Sequence, residues 1–170
     1  MKEFIKELCP YIVILILVVI IRTYIVTPVI VSGSSMVPTL ENKELLIVRK
    51  IGYDGDSIKR FDIVIVKDGE DEIIKRVVGL PGEHISYKNN KLYVNNKYIE
   101  EPYNFRDTKD FNLEEICTCS SIPDGQYLVL GDNRPISKDS RRLGLIEEEN
   151  IVGKAEFRIW PIGRIGSIYN

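Results

Sequence analysis

Beyond residue 28 the chain is a succession of short runs rich in β-branched and aromatic residues, and this feature limits its fold most. Glycine, proline and asparagine separate the runs, and long amphipathic helical patterns are absent from the sequence. The pairs Asn89-Asn90 and Asn95-Asn96 tolerate left-handed backbone and predict tight turns. We therefore predict a mostly β, antiparallel domain over residues 28–170, with strands near 44–50, 61–67, 72–79, 83–88, 91–99, 126–132 and 152–160 and a loop over 100–122.

The N-terminal segment is apolar and uncharged over residues 8–21, and apolar residues resume after Arg22. If Arg22 extends toward the lipid headgroups, residues 8–26 supply a continuous stretch near the roughly 20 residues that a membrane-spanning helix needs. Pro28 is expected to end such a helix. We predict a single N-terminal transmembrane helix, with a short tail over 1–7 and the anchor over 8–27.

A cleavable secretory signal is the competing interpretation, because Lys2 and Lys6 precede an apolar core of suitable length. The only alanine of the chain is Ala155, so no Ala-x-Ala site follows that core, and a retained anchor is favoured. Charge leaves the orientation of the anchor open, since Glu3 and Glu7 offset the two lysines.

Charge and cysteine content exclude several partners. Lysine and arginine total 23 against 25 acidic residues, so the chain lacks the excess of basic residues that would indicate a nucleic-acid partner. Cys117 and Cys119 are one residue apart, which we interpret as two loop thiols poorly placed for a mutual disulfide. Because His84 is the only histidine and no second thiol cluster exists, we expect neither a metal nor another cofactor.

A serine-centred stretch, VSGSSMVPTL (31–40), follows the N-terminal segment. Small neighbours leave the backbone around Ser35 open to a substrate. The amide of Ser35 can donate to a carbonyl oxygen that becomes negative during attack. Clusters of serine, glycine and proline are more often plain turns, so this stretch alone does not distinguish a nucleophile from a turn.

A lysine lies within the predicted strand of EIIKRVVGLPGE (72–83), flanked on its face by Ile73 and Val77. Desolvation can lower the pKa of a buried lysine by several units from about 10.4, which makes the amine a usable base at neutral pH. The alternative is that Lys75 extends from a strand edge into solvent and stays charged.

A third stretch, GDNRPISKDSR (131–141), is dense in polar side chains directly after the apolar run YLVL. Such density usually marks a turn, but this combination of donors and acceptors can hold a loop rigid and orient a lysine amine. The side chains concerned are Asp132, Asn133, Arg134, Ser137, Asp139 and Arg141.

In this order the three stretches resemble the characteristic motifs of type I signal peptidases, and the compact single-anchor chain resembles the Gram-positive form. Residues 35–39 match Ser-Met-x-Pro-Thr, residues 75–83 match the lysine motif, and residues 131–141 match Gly-Asp-Asn-Arg followed by Ser-x-Asp-Ser-Arg. The resemblance covers most of the chain. It implies a serine-lysine endopeptidase that occupies residues 28–170.

The resemblance also implies a role for each matching residue. Ser35 would be the nucleophile and Lys75 the general base. Ser137 would hydrogen-bond the lysine amine, while Asp139 and Arg141 would stabilise the loop beneath.

The substrates implied by the resemblance are secretory precursors, cut after small residues at the last and third-last positions of the signal peptide. The enzyme would be a single-pass protein of the cell membrane, in contact with lipid, with its catalytic domain on the extracytoplasmic side. We expect Val31 and Ile74 to wall the substrate pocket. Gly33 replaces a serine that some family members carry, which leaves the second oxyanion donor open, and Pro135-Ile136 replaces a more familiar acidic-polar pair.

Other functions compete with this interpretation. A histidine-based hydrolase would need His84 near Ser35, and a self-cleaving serine-lysine repressor would need DNA-reading helices where this chain has an apolar segment. A membrane-tethered β-domain that only binds partners, or an inactive family member, is the remaining alternative. The presence of both Ser35 and Lys75 favours the enzyme.

Overall fold

The structure is a computed structural model that describes residues 2–20 and 26–169 of the chain. Helix α1 spans Lys2–Ile20, and its apolar side chains between residues 8 and 19 are exposed. Across the two described ranges, no helix combines the length and the apolar character needed to cross a membrane. Residues 21–25 of the predicted anchor, Arg22 among them, lie outside the described ranges.

The predicted boundaries of the N-terminal segment require two corrections. The helix begins at Lys2 rather than after a tail over 1–7, because lysine and glutamate in that tail favour helix. Val26 and Thr27, which we assigned to the end of the anchor, belong to a strand and pair with Arg49 and Val48.

The described part of the chain contains twelve strands and one further short helix. The strands are β1 (Val26–Ile30), β2 (Leu45–Arg49), β3 (Ile63–Asp68), β4 (Asp71–Gly79), β5 (Ile85–Lys88), β6 (Lys91–Val94), β7 (Lys97–Ile99), β8 (Phe111–Asn112), β9 (Gln126–Leu130), β10 (Ile146–Glu147), β11 (Ile151–Trp160) and β12 (Gly166–Ser167), and helix α2 is Ser140–Leu143. The larger sheet has the order β1-β2-β11-β3-β4-β9-β10, with β12 paired to β11, and the smaller has the order β7-β6-β5-β8.

Every strand pairing described is antiparallel, which confirms the predicted mostly β, antiparallel fold. Each predicted run contains a strand, and the run over 91–99 contains two. The prediction missed β1, β8, β10 and β12. Three of these are two residues long and too short for a periodic pattern, while β1 contains Pro28, which an edge strand tolerates.

Cys117 and Cys119 form a disulfide, so the prediction of two loop thiols was wrong. Their Cα atoms lie 5.3 Å apart, within the range that a disulfide accepts. The chain bends after the 3₁₀ turn Leu113–Glu115, which brings the two residues closer than the about 6.6 Å of an extended chain. Both cysteines pack against the apolar cluster under the smaller sheet.

Candidate active site

The site is centred on a contact between a turn that follows β1 and the middle of β4. Lys75 Nζ lies 2.9 Å from Ser35 Oγ and donates to the carbonyl of Ile74 at 2.8 Å. The turn that carries Ser35 is fixed because Met36 and Leu40 are buried in the core of the larger sheet. The structure thus brings together the two residues that the sequence singled out as nucleophile and base.

Burial sets the protonation of the lysine amine. Lys75 is 2% exposed, and the loss of water lowers its pKa from 10.5 to about 8. Three carboxylates oppose this shift by favouring the charged amine: Asp139, Asp132 and Asp68. With a pKa of about 8, roughly one amine in ten is neutral at pH 7. A neutral amine accepts a hydrogen bond from the Ser35 hydroxyl, which is the geometry that a general base requires.

The polar loop 131–141 holds the serine turn through the backbone. Asn133 N–H donates to the Ser35 carbonyl at 2.9 Å, and its side-chain amide donates to the Ser34 carbonyl at 3.0 Å. Gly131 lies against the same carbonyl, so that a β-carbon added at this position would stand 2.5 Å from the oxygen of Ser35. Only glycine therefore allows this approach.

The hydrogen bond predicted between Ser137 and the lysine amine is absent, which corrects that part of the sequence prediction. Ser137 is 3% exposed, and its hydroxyl has no hydrogen-bond partner among the residues that the structure describes. The reason is that the amine of Lys75 is directed to Ser35 and to the carbonyl of Ile74 instead.

Asp139 and Arg141 close the polar loop. Asp139 is fully buried, accepts from Gly131 N–H at 3.0 Å and caps α2 by accepting from Arg141 N–H. The guanidinium of Arg141 pairs with the same carboxylate at 2.8 Å and donates to the carbonyl of Arg134 at 2.7 Å. These contacts join the two ends of the loop.

A buried ion pair that the sequence did not predict ties the three motifs together. Arg76 donates through Nε and Nη2 to both oxygens of Asp132, at 2.9 and 2.6 Å, and both side chains are almost fully buried. Thr39 donates to the same carboxylate at 2.5 Å. The register of the sheet explains the contact, because Arg76 pairs with Leu130, two residues before Asp132. The alternation of side chains along the strand places Arg76 on the face opposite Lys75, but it does not indicate that Asp132 is its partner.

Arg134 links the site to the smaller sheet, which the sequence also did not predict. Its guanidinium is buried, and although the loss of water lowers its pKa, the surrounding tyrosines and glutamate together raise the pKa above its usual value. It donates to Glu101 at 2.6 Å, to Thr108 at 2.7 Å and to the hydroxyls of Tyr87 and Tyr103 at 3.0 Å. Segment 100–122, predicted as a plain loop, therefore supplies most of the partners of this arginine.

A small cavity of about 80 Å³ opens beside the Ser35–Lys75 contact. Val31 and Ile74, the predicted pocket walls, both line it and are buried. Its volume is far below the several hundred Å³ of a typical small-molecule pocket, so it admits only a small side chain. Gly33 also lines the cavity, and its N–H donates to the side chain of Asn42 at 3.1 Å.

An antiparallel β domain that buries an amine against a serine hydroxyl has the components of a hydrolase, and comparison with known proteins identifies the family. The family described as signal peptidase, peptidase S26, matches residues 1–160. The chain is 44% identical to signal peptidase I of Bacillus caldolyticus over 89% of each chain. It is 38% identical to signal peptidase IB of Staphylococcus aureus, over 99% of this chain and 96% of that one.

A solved structure agrees with this match. The crystal structure of a signal peptidase I from Enterococcus faecalis V583 superposes with a TM-score of 0.53 at 34% identity and covers 57% of this chain and 95% of that one. The chain therefore belongs to the signal peptidase family, peptidase S26. The predicted family resemblance is confirmed, and the chain is a peptidase rather than a repressor.

Proposed function

We propose that this chain removes signal peptides from secretory precursors, with Ser35 as nucleophile and Lys75 as general base. The observation that carries the proposal is the 2.9 Å contact between the buried amine of Lys75 and the Ser35 hydroxyl. Neutral Lys75 accepts the Ser35 proton as the oxygen attacks the scissile carbonyl carbon. The lysine ammonium then protonates the leaving amine. A water that the same amine deprotonates hydrolyses the acyl-enzyme.

The small cavity beside the contact supports a preference for small residues before the cleaved bond. A precursor would bind as an extended strand, with one small side chain between Val31 and Ile74. Any larger side chain would have to displace these buried walls.

We further propose that the enzyme is held at the cell membrane by its N-terminal segment, with the catalytic domain on the extracytoplasmic side. The apolar side chains that α1 exposes between residues 8 and 19 support contact with lipid. Signal peptides emerge on that side of the membrane, which places the substrate within reach of Ser35.

Replacing Ser35 by alanine tests the proposed nucleophile. We expect the detergent-solubilised wild type to cut a secretory precursor once, at a signal peptide that ends in Ala-x-Ala. Ser35→Ala should leave the precursor intact, because the attacking oxygen is gone. The control is Ser34→Ala, which removes an exposed hydroxyl one residue away and should keep activity. Cleavage by Ser35→Ala would refute the nucleophile, and a folded but inert wild type would favour the inactive-member alternative.

Gly131→Ala tests the packing of the polar loop against the serine turn. The added methyl group would overlap the Ser137 hydroxyl oxygen and stand 2.5 Å from the Ser35 carbonyl oxygen, so both groups must shift. A displacement of about 1 Å at the nucleophile can cost roughly a hundred-fold in rate. We therefore expect precursor cleavage to fall by about that factor. Gly163→Ala, where an added β-carbon meets nothing within 4 Å, should leave the rate unchanged. Equal rates for the two variants would contradict the argument.

A further inference from the structure

An ion pair that the proposed mechanism does not use lies beside the contact between the serine and the lysine. Lys138 Nζ is 2.5 Å from Asp68 Oδ2. Lys138 belongs to the polar loop, where both of its neighbours, Ser137 and Asp139, are buried. Asp68 is the last residue of β3. The ion pair therefore joins the polar loop to the hairpin of β3 and β4.

The strand order and register place this ion pair on the side of β4 that carries Lys75. In the larger sheet β4 lies between β3 and β9, and the polar loop follows β9. Cross-strand partners of an antiparallel pair share a face, and faces alternate along a strand. Val64 pairs with Lys75, and Asp68 pairs with Asp71. Asp68 and Lys75 therefore belong to the same face, and the ion pair spans β4 on that face.

The backbone of the polar loop keeps Lys138 close to the catalytic contact. The loop begins level with the catalytic lysine, because Leu130 at the end of β9 pairs with Arg76. It then folds back on its own first residue, since Ser137 packs against Gly131. Lys138 follows directly after this contact, so only its side chain has to extend to meet Asp68.

The carboxylates around the lysine amine are compensated one by one. Those that favour its charged form are Asp139, Asp132 and Asp68. Each has a cation within 4 Å, and these cations are, in the same order, Arg141 at 2.8 Å, Arg76 at 2.6 Å and Lys138 at 2.5 Å. Glu72 of β4 lines the small cavity and is exposed, while the serine turn over 31–40 carries no acidic or basic side chain. Each pairing weakens the field of its carboxylate at the amine.

The three ion pairs differ in burial. Asp132 and Asp139 are fully buried, so removal of either cation would leave a buried charge unpaired and destabilise the fold. In the third pair the side chain of Lys138 is 60% exposed and that of Asp68 is 25% exposed. An exposed pair contributes little to folding. The charge beside the amine can therefore be changed at this pair while the fold is kept.

We propose that Lys138 is a positioning residue that keeps the Lys75 amine usable as a base near neutral pH by neutralising Asp68. The proposal rests on the proposed function and adds to it a residue that acts through Asp68 rather than on the substrate. Without Lys138, an unpaired carboxylate on the same face would stabilise the protonated amine. Without Asp68, the cation of Lys138 would remain and act in the opposite direction.

The test is the pH dependence of kcat/KM for cleavage of a precursor peptide by the full chain in detergent at low ionic strength. In Lys138→Gln the ionisation should move upward by about half a pH unit, which lowers kcat/KM at pH 7 about three-fold and keeps the rate at high pH. In Asp68→Asn it should move downward by a similar amount and raise kcat/KM at pH 7. Asp68→Asn/Lys138→Gln should return close to the wild type. Added salt should reduce both shifts.

The control variant is Lys67→Gln, which removes the same charge from the residue before Asp68. Lys67 is exposed and lies on the opposite face of β3, so its loss should leave the ionisation in place. A tie that is merely structural predicts a lower rate at every pH in both single variants, without displacement of the profile, and that result would overturn the proposal. Shifts in the same direction for Lys138→Gln and Asp68→Asn would also overturn it, as would an equal shift in Lys67→Gln.

A measurement without substrate separates this proposal from the proposed function. Titration of the Lys75 amine by NMR, with isotope-labelled lysine and Lys75→Met to assign the signal, reports the same ionisation. If the wild type cuts the precursor but the ionisation is equal in all variants, the proposed function stands and the role of Lys138 fails. If the precursor is not cut, the proposed function fails; opposite NMR shifts in Lys138→Gln and Asp68→Asn would still support the action of Lys138 on the amine, and equal values would overturn it.

Discussion

Replacing Lys75 by methionine is expected to lower the rate of precursor cleavage at least about a thousand-fold. Methionine fills a similar volume but has no lone pair that can take the Ser35 proton at neutral pH. The rate should be measured with the full chain in detergent, with substrate in excess. Activity within ten-fold of the wild type would show that another group acts as the base.

The stability of the same variant separates lost chemistry from lost folding. Below pH 8 the wild type carries the cost of a buried protonated amine, which is about 3 kcal/mol for a pKa lowered from 10.5 to about 8. Lys75→Met removes that cost, so its free energy of unfolding at pH 7 should equal or exceed that of the wild type. As pH rises from 8 toward 10.5 the wild type should regain stability relative to Lys75→Met. In this range the folded state has already released the proton while the unfolded state still binds it, so raising the pH disfavours the unfolded state.

Replacing Arg76 by methionine is expected to lower the free energy of unfolding by about 3–5 kcal/mol, because it leaves the fully buried carboxylate of Asp132 without its cation. Denaturant unfolding of the wild type and variant provides the measurement. The matched control is Arg49→Met, whose ion pair with Glu156 is partly exposed to solvent and should be worth less than about 1 kcal/mol.

A second variant distinguishes the ion pair from general packing. Arg76→Met/Asp132→Leu removes both charges, so it should recover most of the stability lost in Arg76→Met. If Arg76→Met unfolds as readily as Arg49→Met, the buried pair does not hold the three motifs together. If the double variant is no more stable than Arg76→Met, the loss comes from packing.

The antiparallel β fold and the family were predictable from the sequence, because both depend on local patterns. Alternating β-branched runs mark strands such as β4, and the serine, lysine and polar-loop motifs each lie within about ten contiguous residues. The contact between Ser35 and Lys75 was predictable only through the resemblance. Forty residues separate the two in the chain, and no spacing rule joins them.

The contacts that the sequence did not reveal depend on register and on tertiary packing. Arg76 reaches Asp132 only because β4 pairs with β9 in one register. Arg134 is satisfied by side chains from a segment without periodic pattern. The Cys117–Cys119 disulfide depends on a local bend that composition does not indicate. Ser137 was expected to contact Lys75, but the amine of Lys75 donates to the carbonyl of Ile74 instead.

The pH dependence of kcat/KM tests the role of Lys75 as general base most directly. For a precursor whose signal peptide ends in Ala-x-Ala, kcat/KM should fall about ten-fold for each pH unit below an ionisation near 8, because the protonated amine cannot accept the Ser35 proton. The rate should level off about one unit above that value. A rate independent of pH from 6 to 9 would contradict the account.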